Sequence, residues 1–241
     1  MNLNKYEADI CSHAKSRPDE EVCGVVILNR DLTVSIKRLS NESSDPKNCF
    51  FISPGKFIKL KTTSNIIGIY HSHPCSSEAP SAQDILVSEE IGLPYLIYSL
   101  KTESFFLYYP ESYQPVSIIG RPYVKGFYEC TCLLKDYFLM NLSINITKWN
   151  KNYWLPSCNE EANKLLKKIM SKNLIAQETK TIKTHDVIIF QIKERGRRHV
   201  GVYTGGDDFV HQCGNSISRT QTLDDKWQSR IKEIYRHPSL V

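Results

Sequence analysis

Apolar residues along this chain recur with two different periods, and the changes of period mark out its elements. Leu3 to Arg17 carries Tyr6, Ala8, Ile10 and Ala14 as an apolar helical face, and Pro18 stops that helix. Val22 to Leu28 is a continuous apolar run of strand length, Asn29-Arg30-Asp31 turns the chain, and Leu32 to Leu39 reads as the returning strand. Phe50-Phe51-Ile52 reads as a short strand ended by Ser53-Pro54-Gly55, with a helix over Lys56 to Ser64 after it. Ile66 to Tyr70 is strand-like, and Ser81 stands where an N-cap belongs, opening a helix that runs to Ile91. Leu93 to Leu100 and Phe105 to Tyr109 predict a hairpin, which completes a mixed α/β domain over residues 1–110.

Residues 111–122 hold prolines and serines without periodicity and read as a linker, in which Val116 to Ile119 is expected to pack against one domain. The pattern then restarts. From Cys130, apolar residues at 133, 134, 137 and 138 give a helical face, and Glu160 to Ser171 predicts a second helix after a polar loop flanked by Trp149 and Trp154. Asp186 to Phe190 is a strand, Lys193 to Arg198 a basic turn and His199 to Tyr203 the next strand. Gly205-Gly206-Asp207 turns into the return strand Asp208 to His211. Residues 123–241 therefore form a second domain.

Composition narrows the class. The chain has 241 residues, 41% hydrophobic and 24% charged, as expected of an ordinary globular protein. The net charge of +5 comes from dispersed lysines and arginines interleaved with acids, which gives no footprint for nucleic acid. No apolar run approaches the roughly 20 residues that span a bilayer. The first twenty residues lack the apolar core of a signal peptide, so the protein is expected to begin in a cytosol. Eight cysteines without a C-x-x-C pair argue against a disulfide or four-cysteine zinc scaffold.

The first candidate chemistry lies at the end of the Ile66 to Tyr70 strand. His71 and His73 alternate with Ser72, so period 2 turns both imidazoles to one side, and Asp84 follows across a loop of small residues. Two histidines and a carboxylate with an open fourth position suit catalytic zinc, with iron second on ligand type. Such a site also needs a base for the attacking water, and Glu21 stands just before a strand able to carry it there. Glu21-x-Cys-Gly, His71-Ser72-His73-Pro74 and Ser81-Ala82-Gln83-Asp84 together resemble the JAMM (MPN-type) metalloprotease motif, with no motif position substituted. The resemblance implies that His71, His73 and Asp84 bind zinc, that Glu21 is the general base, and that Ser81 helps stabilise the oxyanion.

The second candidate centres on Cys130. A helix N-terminus is expected to lower its thiol pKa and favour the thiolate. The hairpin brings His199 near His211 on neighbouring strands, and a cysteine, a histidine base and a third residue orienting that base are the parts of a thiol hydrolase. This half resembles the NlpC-type cysteine peptidases, whose papain-like α+β fold it is expected to share. The resemblance makes Cys130 the nucleophile, His199 the base and His211 the orienting residue. Cys132 fits less well, because Lys135 then falls where the family pattern wants an apolar residue. The chain departs from the pattern at Glu129, usually Asp, at Thr131 and Cys132, usually Ser-Gly, and at His185, usually Gly.

The order of the two halves resembles the tail tip assembly protein K family of phages with lambda-like tails, an impression reinforced by Gly120-Arg121-Pro122-Tyr123 and Tyr235-Arg236-His237. The resemblance implies a two-headed hydrolase with tail tip proteins as partners. It further implies synthesis in the host cytoplasm and action from the tail tip, at the host cell wall, on peptide stems of host peptidoglycan, on tail proteins, or on both. Two other readings stay open: an assembly factor in which catalysis is secondary, and a cellular JAMM isopeptidase unconnected with phage.

Overall fold

The computed structural model describes residues 4–146, 151–152, 159–177, 181–192, 198–214 and 216–241. The expected loop flanked by Trp149 and Trp154, and the basic turn from Lys193 apart from Arg198, lie outside them. The chain divides into two compact units, the first of residues 1–114 with 149–154 and the second of residues 115–148 with 155–241. Both mix helix and sheet, as the fold class read from the sequence requires.

In the first unit, α1 (Lys5–Ser16) buries Tyr6, Ile10 and Ala14, while Ala8 turns to solvent. Glu7 caps it by accepting the Asn4 backbone N–H at 2.8 Å. β1 (Cys23–Leu28) and β2 (Val34–Leu39) form an antiparallel hairpin, followed by α2 (Pro54–Thr63), β3 (Ile66–His73), α3 (Ala82–Ile91), β4 (Tyr95–Ser99) and β5 (Ser104–Tyr108). The sheet order is β2-β1-β3-β4-β5, with β3 and β4 parallel and the other neighbours antiparallel. Val25, Ile69, Tyr95, Ile97 and Tyr108 form its core.

Three expectations change here. Phe50 to Ile52 is not a strand, because its backbone takes other partners: Phe51 N–H donates to the Asn41 side chain at 3.0 Å, and its carbonyl accepts from Glu42 N–H. Pro54 starts a helix instead of ending a strand, since a proline at the first helical position lacks only an N–H that would find no partner there. β3 continues past Tyr70 through both histidines, paired with β4 from Ile69–Tyr95 to His73–Ser99.

The second unit opens with α4 (Cys130–Leu142). The next strand, β6 (Lys151–Asn152), belongs to the first unit, where it pairs antiparallel with β5 at the edge of that sheet. There follow α5 (Asn159–Asn173), β7 (Ile175–Ala176), β8 (Val187–Gln191), β9 (Arg198–Gly205), β10 (Asp208–His211), β11 (Arg219–Thr222), α6 (Asp225–Gln228) and β12 (Ile231–Arg236), with a closing 3-10 turn (Pro238–Leu240). The antiparallel sheet runs β11-β10-β9-β8-β12-β7, and α4 packs on β9 and β10. Its core holds Ile188, Phe190, Phe209, Leu223 and Trp227. Gly205, Gly206 and Asp207 turn the β9–β10 hairpin with φ of 92°, 62° and 70°. Val116 and Ile119, expected to pack, are exposed. The two arginines that contributed to the resemblance are clamps: Arg121 binds Asp136 of α4 at 2.5 Å, and Arg236 grips Asp186 through two bonds of 2.7 Å. Among the described residues, no helix is long and apolar enough to cross a membrane.

Candidate active sites

The β1–β3 register explains the first cluster. Cys23 lies opposite His71, and carrying that pairing two residues further sets Glu21 opposite His73. Two bonds fix the entrance: Ser72 N–H donates to Val22 carbonyl at 3.0 Å, and Val22 N–H donates to Ser72 Oγ at 3.0 Å. The glycine of the Glu21-x-Cys-Gly motif is required by packing. A Cβ on Gly24 would lie 2.3 Å from the Lys37 carbonyl oxygen and 2.5 Å from Tyr70 Cε1.

Four side chains converge at the end of β3. His71 Nε2 lies 3.1 Å from His73 Nε2 and 3.2 Å from Asp84 Oδ1; His73 Nε2 lies 3.5 Å from Asp84 Oδ2 and 3.8 Å from Glu21 Oε1. All four are buried. Ser81 caps α3 by accepting Asp84 N–H at 3.1 Å, while its own N–H and hydroxyl each donate to Asp84 Oδ2 at 2.7 Å. That arrangement leaves Oδ1 facing His71. His73 Nδ1 is held by the Ser77 carbonyl at 2.6 Å, whereas the His71 ring stacks on Phe50 at 4.6 Å between centroids. His71 Nδ1 has no hydrogen-bond partner among the described residues.

The electrostatics follow from burial and convergence. Burial pushes Glu21 up to about 7, against the opposing pull of His73. Burial would raise Asp84 too, but His71, His73 and Ser81 outweigh it and hold that carboxyl well below the usual range. Burial lowers His71. For His73, burial is outweighed by Asp84, the Ser77 carbonyl and Glu21, and its pKa rises. The donor set suits zinc, because ligands ~2.0–2.2 Å from a tetrahedral ion lie about 3.3 Å from one another. His71 Nε2 stands close to that spacing from His73 Nε2 and from Asp84 Oδ1, and His73 Nε2 from Asp84 Oδ2.

The second cluster lies where α4 meets β9. Cys130 is the first residue of α4, after the N-cap Glu129, and the backbone N–H of Val200 points at its sulfur. His199 Nε2 lies 2.9 Å from His211 Nδ1, as the hairpin predicted. Cys132 is buried and its thiol donates to the Gly126 carbonyl at 3.2 Å, so it points away from this chemistry. The expected lowering of the Cys130 thiol is reversed. Burial, reinforced by the Glu129 carboxylate, pushes it up to about 12. Burial likewise lowers His199 to about 3 and, with Arg219, lowers His211 to about 4. Near pH 7 the site therefore rests as a neutral thiol beside neutral imidazoles.

Sequence reading missed Cys213, whose sulfur lies 3.6 Å from His199 Nε2 and 3.5 Å from His211 Nδ1. The available signal was the spacing His211-x-Cys213 at the end of a strand. Phe50 was missed as a neighbour of His71 because its residues read as a strand.

Residues 3–109 match the family described as prokaryotic homologs of the JAB domain, and residues 120–236 match the NlpC/P60 family. The chain is 23% identical to tail tip assembly protein K of Escherichia phage N15, over 95% of this chain and 92% of that protein. It is 21% identical to tail tip assembly protein K of Escherichia phage lambda, over 77% of this chain and 89% of that protein. A desampylase of Haloferax volcanii is 33% identical, over 37% of this chain and 73% of that protein. With both domains present in that order, the chain belongs to the two-domain family of tail tip assembly protein K, a prokaryotic JAB domain followed by an NlpC/P60 domain.

Proposed function

We propose that this chain is a tail tip assembly protein with two hydrolytic sites, a zinc metallopeptidase over residues 1–110 and a thiol peptidase over residues 123–241, joined by the linker 111–122. The observation that carries the second site is the 2.9 Å bond between His199 Nε2 and His211 Nδ1. It commits one ring nitrogen of His199 to orientation and leaves Nδ1 to serve Cys130. The Cys130 proton passes to His199 Nδ1 as sulfur attacks the scissile carbonyl carbon. The leaving amine takes that proton as the C–N bond breaks, and water then hydrolyses the thioester. Because thiol and imidazole rest neutral, proton transfer accompanies attack instead of preceding it.

In the first site, His71, His73 and Asp84 would hold zinc. When bound there, zinc supplies Lewis acidity toward a carbonyl oxygen and lowers the pKa of water. Glu21, close to His73 and with its pKa raised by burial, takes the proton of the attacking water and delivers it to the leaving amine. The bonds from Ser81 to Asp84 Oδ2 favour a positioning role for Ser81 over the oxyanion role implied by the motif. Likeness to a protein named a desampylase supports peptide or isopeptide bonds as this site's substrate class.

The thiol site is assigned to stem peptides of host peptidoglycan, supported by its NlpC/P60 membership, and tail tip proteins are the assembly partners, supported by the near full-length likeness to tail tip assembly protein K. Digestion of purified peptidoglycan, with products identified by mass spectrometry, tests the assignment. Stem-peptide cleavage by wild type and His73→Ala, abolished in Cys130→Ala and not lost on adding chelator, is the expected result. No cleavage by folded wild type would move the second site to tail-protein processing.

A further inference from the structure

Cys213 has no part in the peptidase reading, yet it completes a cluster of metal-ligating atoms. The β9–β10 register pairs His211 with Gly201, and carried two residues further it sets residue 213 opposite residue 199. Period-2 alternation turns Cys213 to the same face as His211. The result is a triangle of donors: Sγ to His199 Nε2 at 3.6 Å, Sγ to His211 Nδ1 at 3.5 Å, and nitrogen to nitrogen at 2.9 Å. Around a tetrahedral zinc with Zn–N of ~2.0–2.1 Å and Zn–S of ~2.3 Å, nitrogen–sulfur edges come to about 3.6 Å and nitrogen–nitrogen edges to about 3.3 Å. Two edges already match, and the third is closed by a hydrogen bond that the cation would replace. His199 and His211 are buried and Cys213 is partly buried, which keeps competing water from most of the donor set.

We propose that His199, His211 and Cys213 form a second metal site, for zinc or another borderline-soft divalent cation, and that its occupation switches the thiol peptidase off. The switching rests on the peptidase reading above; the metal site does not. Binding displaces the Cys213 thiol proton to solvent and takes the lone pairs of His199 Nε2 and His211 Nδ1. The remaining proton of the His199 ring then sits on Nδ1, the nitrogen that would otherwise accept the proton of Cys130. A base already carrying its proton cannot activate the nucleophile. The choice of metal follows from the ligands, since one thiolate and two imidazoles favour zinc and cobalt over magnesium or calcium.

Cobalt(II) titration of the full chain tests this without any need for turnover. His73→Ala, stripped with chelator beforehand, removes a ligand from the first cluster, whose nitrogen and oxygen donors give no thiolate signal in any case. The expected result is one equivalent of tetrahedral cobalt with a thiolate-to-cobalt charge-transfer band. Adding Cys213→Ser should abolish the band and weaken cobalt binding more than about tenfold, since even outer partners of a metal site change affinity by that much. Cys213→His in the same background should restore affinity without restoring the band, which separates loss of a ligand from loss of fold. Absence of the band before Cys213 is changed, or its survival in Cys213→Ser, overturns the proposal.

Discussion

His199 Nε2 and His211 Nδ1 lie 2.9 Å apart across the β9–β10 hairpin, and the bond between them commits that nitrogen of His199, leaving Nδ1 for the proposed proton transfer from Cys130. Because Gly201, not His199, lies directly opposite His211, the contact runs diagonally across the hairpin. On the adjoining strand, the close fit of Gly201 against Phe209 keeps the pair of strands tight, since a Cβ there would lie 2.7 Å from Phe209 Cδ2.

From this relationship follows an ordering of variants. His211→Asn keeps a carbonyl oxygen able to accept the His199 N–H, whereas His211→Ala leaves the base without orientation. His211→Ala should lower kcat by about 10²–10⁴, the usual worth of a positioned acid–base group, and His211→Asn by clearly less. Steady-state kinetics on a stem peptide decide it, and equal losses in the two variants would remove the orienting role.

In the proposed zinc site, Ser81 would join local structure to metal affinity. It caps α3 and fixes the Asp84 carboxylate, so Ser81→Ala should cost about 1 kcal/mol of stability and weaken zinc binding roughly 10–100-fold while keeping the stoichiometry. His73→Ala should lose the first-site metal altogether. Chelator competition and metal analysis separate these outcomes; unchanged affinity in Ser81→Ala would contradict the positioning role.

His13 makes the first unit sensitive to acid. Its Nδ1 lies 2.9 Å from the Tyr70 hydroxyl, and burial, with Arg38 and Arg17 adding and Glu20 opposing, lowers its pKa to about 4. The unfolded chain protonates this histidine first, near pH 6.5, so stability is full above about 6.5 and is lost as pH falls toward 4. The loss from this one group is at most about 3 kcal/mol. The stability difference between wild type and His13→Gln, from denaturation midpoints, should therefore shrink between pH 7.5 and 4. A constant difference would contradict the buried, neutral state.

Much of the first site was legible because local rules fix it. Period 2 delivers His71 and His73 to one side, and the Ser81–Asp84 capping box seats the carboxylate in the first turn of α3. The Phe50 segment was not legible, since an asparagine side chain, not a neighbouring strand, satisfies its backbone. The thiol of Cys130 misled because a helix N-terminus argues one way, while burial and Glu129 argue the other and prevail. His185, which stands where the family pattern has glycine, has φ of 74° and is tied to the Tyr137 hydroxyl at 2.8 Å. A left-handed position is thus filled by a residue that tolerates it better than most. Cys213 escaped notice because the spacing His211-x-Cys213 is a short signal by itself, and the second partner, His199, is brought to it only by strand register.

Trapping the acyl-enzyme tests the assignment of the nucleophile most directly. A stem-peptide substrate is mixed with the full chain, quenched in acid at early times, and the modified residue is mapped by mass spectrometry. A thioester on Cys130 that appears before product and is absent from Cys130→Ala is the predicted result. Product formed without acylation of Cys130, or turnover that survives Cys130→Ala, would contradict it.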